Sequence, residues 1–209
     1  MLISFEGLDF CGKSTQVELL VNYLNNCGKR VKVIREPGGT VISEKIRDIL
    51  LDKKNDKMHI ETEILLFSAS RSQLVREVIQ PYLNDGYYVI TDRFYDSTTA
   101  YQGFGRQIPL DFVEKINMFA VGGTIPQITF FIDIPIEESD KRKKLRNGGE
   151  LDRIEMSQRS FYEKVREGYL YLAEKEKRFR IIDGLKHIDE IHEIIIKDIS
   201  ELEMKTGVK

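Results

Sequence analysis

The sequence contains no tryptophan, two cysteines and five prolines in 209 residues. Cys11 and Cys27 fit neither a disulfide framework nor a metal-binding spacing, so both read as reduced thiols, with Cys11 a small filler side chain. No stretch approaches the roughly 18 consecutive apolar residues of a membrane-spanning helix, so no membrane partner is expected. Neither sign of charge prevails: 32 lysines and arginines face 34 aspartates and glutamates, a formal net charge of -2. That balance argues against a nucleic-acid partner and makes basic residues informative only where they cluster. Met1 to Glu6 shows no basic segment followed by an apolar stretch and cleavage site, so a cytoplasmic protein is expected. Repeats, low-complexity tracts and evident linkers are also lacking. With 41% hydrophobic and 32% charged residues the composition is that of a globular chain, read as one domain over 1–209.

What is present is an alternation of short apolar runs and helical spacings. Leu2–Phe5, Val31–Ile34, Tyr87–Thr91, Ile128–Ile134 and Arg180–Ile182 read as strands. Helices are expected at Lys13 to about Asn26, Ile42–Leu51, Ile60–Leu83 (bent or broken near Pro81), Asp111–Ala120, Ile136–Arg146, Met156–Lys177 and Ile188–Glu203. This order predicts an α/β fold: a five-stranded parallel sheet with helices on both faces and ligands outside the carboxyl ends of the strands. The basic run Lys141 to Arg146, broken by Asn147-Gly148-Gly149, predicts a short lid at about 142–155 inside that domain.

The first strand leads into Gly7-Leu8-Asp9-Phe10-Cys11-Gly12-Lys13-Ser14, with Thr15 following, which fits G-x-x-x-x-G-K-[ST]. The glycines let the backbone curl until its N–H groups face an anion, Lys13 reaches the β- and γ-phosphates, and the Ser14 hydroxyl suits Mg²⁺. The helix that begins at Lys13 directs its positive end to the same point. A nucleoside triphosphate ligand and a P-loop NTPase-like fold follow, but no particular reaction. The guanine-reading motif Asn-Lys-x-Asp is missing, against a GTPase, and no aliphatic run ends in Asp-Glu, against a motor ATPase.

After the third strand, Asp92 and Arg93 fall where an open α/β sheet gathers its ligands. There a carboxylate can hold hydrated Mg²⁺ or receive a proton, and a guanidinium can bridge two phosphates that repel one another. The alternative is an Asp92–Arg93 ion pair that merely holds the turn. Phe67 and Arg71, four apart on a helix, share a face; without further context they read as a core phenylalanine beside a surface arginine.

Taken together, Phe5 to Asp9, Arg35 to Thr40, Leu66 to Arg71, Asp92-Arg93-Phe94 with Ser97 to Gln102, and Leu151 to Glu155 resemble the thymidylate kinases, over nearly the whole chain. The resemblance implies ATP and dTMP as substrates, Mg²⁺ as the ion that accompanies ATP, and a homodimer packed through helices. It implies that Phe67 stacks on thymine and Arg71 donates to its O4, that Thr98 and Gln102 read its N3 edge, and that Tyr101 meets the sugar. It makes Arg47 and Arg93 clamps on the dTMP phosphate and places Asp9 near the 3′-hydroxyl, with Glu36 and Pro37 in the adjoining turn. Arg47 as a solvated helix arginine and Glu36 as a purely structural carboxylate remain alternatives. Some relatives carry an arginine in the P-loop where this chain has Phe10, so the cation that phosphoryl transfer commonly uses must come from elsewhere. The lid arginines Arg153 and Arg146 are the expected source, as in the bacterial type. Asp183-Gly184 resembles the loop that passes the adenine, and Gln127, where the family usually has Asp, reads as a cap at strand entry. Two other readings stand beside this one: another nucleotide or deoxynucleoside kinase of the same fold, and an ATP-binding regulatory module without transfer.

Overall fold

The computed structural model describes residues 1–145 and 151–207. Arg146 and the Asn147-Gly148-Gly149 break therefore lie outside the described residues. Five strands form one parallel sheet: β1 (Leu2–Glu6), β2 (Val31–Arg35), β3 (Tyr88–Asp92), β4 (Ile128–Asp133) and β5 (Phe179–Asp183), in the order β2-β3-β1-β4-β5. β1 is central, and Leu2, Ile3 and Phe5 are fully buried in it. Each such side chain contributes about 1.5–3 kcal/mol on leaving water. Gln127, just before β4, accepts from Leu2 N and donates its own N–H to Leu2 O, the strand-entry cap expected from the sequence.

Helices cover both faces, as the alternation predicts. On one side α1 (Lys13–Asn26) and α9 (Ile188–Thr206) bury Val17, Leu20, Leu24, Ile191, Ile195 and Ile199 against Ile3, Phe5, Phe130 and Ile132. On the other, α3 (Ile60–Leu74) and α8 (Arg159–Lys175) supply Leu74 and Tyr169 to two further apolar clusters, with Leu2 and Phe131 from the sheet. The remaining helices are α2 (Val41–Leu51), α4 (Gln80–Asn84), the four-residue α5 (Tyr95–Thr98), α6 (Leu110–Val121) and α7 (Ile136–Leu145). The chain runs from β1 out to β2, returns to β3 beside β1, then crosses to β4, so a crevice opens at the carboxyl ends of β1 and β3.

Three segments add detail to this alternation, one of them with a corrected boundary. The helix over Ile60–Leu83 is interrupted near Pro81, as expected, by a π-turn at Val75–Ile79; Gln80 N reaches back to Val75 O, an adjustment next to a residue with no N–H to donate. The helix over Met156–Lys177 begins at Arg159, because Asp152 Oδ1 accepts from the N–H groups of Ile154 and Glu155 at 2.8 Å each and closes a tight turn. The segment after β3, read only as a source of site residues, is helical: α5 leads into a π-helical stretch over Thr99–Gly105.

Candidate active site

β1 delivers the chain into the phosphate loop. Gly7 has φ +141°, and a Cβ there would stand 2.5 Å from Ile132 O, so only glycine fits. Gly12 has φ +101° and caps the N-terminus of α1, aiming the helix dipole at the loop's concavity. Phe10 is also left-handed, at φ +63°, and lines the crevice. Lys13, largely buried, lays its Nζ across the loop, 2.8 Å from Leu8 O and 3.2 Å from Gly7 O. Ser14 Oγ donates to Asp92 Oδ2 at 3.1 Å. The β1–β3 register puts Asp92 opposite Phe5, which brings the carboxyl end of β3 level with the start of the loop. The all-oxygen pair of Ser14 and Asp92 suits Mg²⁺, which keeps several of its waters and takes few protein ligands.

Arg93 follows with φ +69°, a conformation that costs a non-glycine residue about 1–2 kcal/mol. The turn swings its side chain back under the loop. Nη2 is 2.7 Å from Asp9 Oδ1, and Nη1 donates to Gly7 O at 2.9 Å, Tyr169 Oη at 3.1 Å and Ser97 Oγ at 3.3 Å. Burial opposes the charge on Asp9, but the Arg93 and Lys13 cations outweigh it and hold the carboxyl below the usual range. The partner of Arg93 is therefore Asp9, not Asp92, so the turn-holding pair considered from the sequence does not form.

Beneath this cluster lies Glu6, fully buried. Its oxygens accept from Phe94 N at 2.7 Å, Ser97 Oγ at 2.6 Å, Tyr169 Oη at 2.9 Å and Ser4 Oγ at 3.1 Å. Burial, with Asp96 nearby, pushes the carboxyl above its ordinary range. Two of its donors, Ser97 and Tyr169, are the same side chains that receive Arg93, so Glu6 fixes the guanidinium at second hand.

The crevice is a cavity of about 710 Å³, within the size range of small-molecule sites. Asp9, Phe10, Gly12, Lys13, Ser14 and Thr15 of the phosphate loop line it. So do Glu36, Pro37, Arg47, Phe67, Tyr101 and Gln102, together with Asp92 and Arg93. Arg47 Nη1 donates to Pro37 O at 2.9 Å, which holds it on the turn after β2. Tyr101 packs its ring 4.9 Å from the Arg93 guanidinium. Glu36 is buried, and burial raises its carboxyl to about 7 even though Arg71 pulls the other way.

With this geometry in view, comparison with known proteins identifies the family. The Thymidylate kinase family profile matches residues 5–195. The chain is 52% identical over 191 residues to a thymidylate kinase of Thermosipho melanesiensis, covering 91% of this chain and 93% of that one. It is 47% identical over 215 residues to that of Chlorobaculum tepidum, covering 99% and 100%. The chain belongs to the thymidylate kinase family. Its fold matches the crystal structure of the thymidylate kinase from Ehrlichia chaffeensis with a TM-score of 0.76 at 33% identity, over 95% of this chain and 98% of that one.

Within this thymidylate kinase fold, the residues expected at the site divide into two groups. Asp9, Phe10, Gly12, Lys13, Ser14, Thr15, Glu36, Pro37, Arg47, Phe67, Asp92, Arg93, Tyr101 and Gln102 all line this cavity. Gly7, Leu8 and Cys11 belong to the loop but not to the cavity wall. Arg71 is buried rather than on the surface: its Nε is 2.7 Å from Glu36 Oε2, Nη1 donates to Thr98 Oγ1 at 2.8 Å, and Nη2 donates to Phe94 O at 3.2 Å. Thr98 is likewise buried and backs Arg71 rather than lining the cavity.

The expected lid arginine Arg153 lies elsewhere. Its Nη1 pairs with Glu63 Oε2 at 2.7 Å, its Nε donates to Leu50 O at 2.8 Å and its backbone N to Leu51 O at 3.2 Å. The reason is local: the last carbonyls of α2 need donors, a cation suits a helix C-terminus, and a buried carboxylate stands beside it. The arginine of α7 that does reach the loop is Arg142. Its Nη1 lies 3.4 Å from Phe10 O and Cys11 O, its Nη2 donates to Gly184 O at 3.0 Å, and Glu138 holds its Nε at 2.7 Å. In the sequence Arg142 stands four residues before Arg146, a spacing that shares a helix face but gives no reason to rank it above Arg153. Glu6 had a signal, a lone carboxylate in an otherwise apolar run; Tyr169, 163 residues away, had none.

Proposed function

We propose that this chain transfers the γ-phosphoryl group of ATP to dTMP, giving ADP and dTDP by direct in-line displacement. An oxygen of the dTMP phosphate bonds to the γ-phosphorus as the bond to the β–γ bridging oxygen breaks, and ADP departs with that electron pair. No covalent enzyme intermediate is needed; alignment and charge neutralisation suffice. The observation that carries this reading is Arg93, held on the phosphate loop by Asp9 and Gly7 O, with Tyr169 behind it and the Tyr101 ring against it, in one cavity that the loop shares with Phe67 and Gln102. A cation there draws two repelling phosphates together and is positioned before they arrive.

The loop N–H groups and Lys13 take the ATP phosphates, and Arg47 joins Arg93 on the dTMP phosphate. Phe67 offers its ring to the base, Arg71 its guanidinium to O4 with Thr98 behind it, and Gln102 its amide to N3. Tyr101 closes the space where a ribose 2′-hydroxyl would fall. Glu36 and Pro37 shape the turn between. Ser14 and Asp92 would hold Mg²⁺, which neutralises charge on the β- and γ-phosphates. Arg142 supplies the cation that Phe10 withholds from the loop, and sequence spacing makes Arg146 the second candidate.

We further read the chain as one domain with its lid at about 142–155, acting in the cytoplasm as a homodimer. Unpaired Cys11 and Cys27 support a reducing compartment, and no helix among the described residues is long and apolar enough to cross a membrane. Exposed Phe112 and Phe119 on α6 and Leu65 on α3, helices that pack together, support a helical subunit interface. Coupled ADP release with dTMP, dUMP, dCMP, dGMP and thymidine ribonucleotide as acceptors tests the proposal. dTMP should lead the panel; preference for a purine, or no turnover with any monophosphate, rejects it.

A further inference from the structure

Glu63 sits in the first turn of α3, almost wholly buried. An isolated carboxylate there would be costly, and this one has collected four donors. Oε1 accepts from Gln102 Nε2 and from Arg106 Nε, both at 3.0 Å. Oε2 accepts from Arg106 Nη2 at 3.3 Å and pairs with Arg153 Nη1 at 2.7 Å. Burial disfavours its charge, but Arg106, Gln102 and Arg153 together hold the carboxyl below the ordinary range. Glu63 is thus ionised and accepts only; any amide that faces it must do so through nitrogen.

That requirement fixes Gln102. The nitrogen and oxygen of a carboxamide diverge from one carbon, so turning Nε2 to Glu63 directs Oε1 away from it, toward the cavity that Gln102 lines. The flipped amide would set two acceptors 3.0 Å apart in a buried place, losing a hydrogen bond and adding repulsion. Thymine and cytosine have nearly the same shape but opposite polarity here: N3 of thymine carries a hydrogen, and N3 of cytosine carries a lone pair. A fixed carbonyl oxygen accepts from the first and repels the second.

We propose that Glu63 is a specificity-determining positioning residue: without touching the nucleotide, it locks the Gln102 amide oxygen toward the acceptor base and so makes the site select thymine over cytosine. This rests on Gln102 reading N3, as set out above. Rejection of a mispaired hydrogen-bonding group is where a site gains most discrimination.

The test compares kcat/KM for dTMP and dCMP in four proteins. Glu63→Gln can donate as well as accept, so the Gln102 amide is released to turn, and the dTMP:dCMP ratio should fall about tenfold or more. Glu63→Asp keeps the charge but withdraws it by one methylene; it should shift the ratio the same way by less, and serves if the first variant does not fold. Gln102→Leu removes the reader and should collapse the ratio. Arg106→Leu removes a partner of Glu63 without changing the polarity of the amide; it should lower Tm and leave the ratio intact. If Gln102→Leu collapses the ratio while both Glu63 variants preserve it, the role of Glu63 is overturned and the reading of Gln102 survives. If Gln102→Leu preserves the ratio, both are overturned. A uniform loss of activity with both acceptors in the Glu63 variants also overturns the proposal, because a purely structural carboxylate would act that way.

Discussion

Replacing Arg153 by alanine separates a structural arginine from a catalytic one. Its side chain is 11% exposed and that of Glu63 1% exposed, so the pair is little screened by solvent. Removing one member of a buried pair costs about 3–5 kcal/mol when it leaves the other charge alone. Glu63 keeps Arg106 and Gln102, so the charge is not orphaned, while Leu50 O loses its side-chain donor. The expected cost is then about 2–3 kcal/mol. In a chain of this size each kcal/mol moves Tm by about 2–4 °C, so Tm should fall by about 4–12 °C. Thermal unfolding monitored by circular dichroism gives that shift, and a coupled assay well below Tm gives kcat. The structure predicts that kcat falls by less than about tenfold, since the guanidinium contacts α2 and Glu63 rather than the loop. An unchanged Tm together with a loss of kcat by about three orders of magnitude would show that Arg153 works on the phosphates and that this placement is not the working one.

Arg142→Ala should behave in the opposite way. Glu138 and Arg142 form a solvent-screened pair, so the melting temperature should change little, whereas kcat should fall about 100-fold or more, as when a transition-state donor is removed; steady-state kinetics beside a melting curve checks both. Glu36 provides a pH prediction. Its carboxyl is raised from 4.5 to about 7 in the folded chain, so the folded state holds the proton more tightly than the unfolded one. The stability it contributes is complete below about 4.5 and is lost as pH rises through about 7. Urea midpoints at pH 5 and pH 7.5 should therefore differ less in Glu36→Gln than in the unmodified chain, and parallel behaviour would contradict the assignment.

The sequence revealed the parts governed by local rules. The strand-to-helix turn at Gly7–Ser14 is written in glycines whose positive φ the structure requires, and each of the five strands falls within a residue or two of its apolar run. Asp92 and Arg93 were legible because parallel topology fixes where β3 ends relative to β1. What stayed hidden depends on pairings between distant segments. Arg153 is turned away from the loop by the open carbonyls of α2 and by Glu63, about a hundred residues earlier in the chain. Arg71 reads as a surface residue until Glu36 and Thr98 are folded around it. The Glu6–Ser97–Tyr169 set behind Arg93 joins three elements whose sequence separation leaves no periodic trace.

The most direct test follows the phosphoryl group itself. The protein is mixed with ATP labelled at the γ-phosphate, dTMP and Mg²⁺, and the products are separated over a single turnover. Direct transfer predicts that the label appears as the β-phosphate of dTDP at the rate at which ADP forms, with no labelled protein at any time, and that Arg93→Ala suppresses both products together. Label that accumulates on the protein, or that is released as inorganic phosphate while dTMP stays unchanged, would contradict the account.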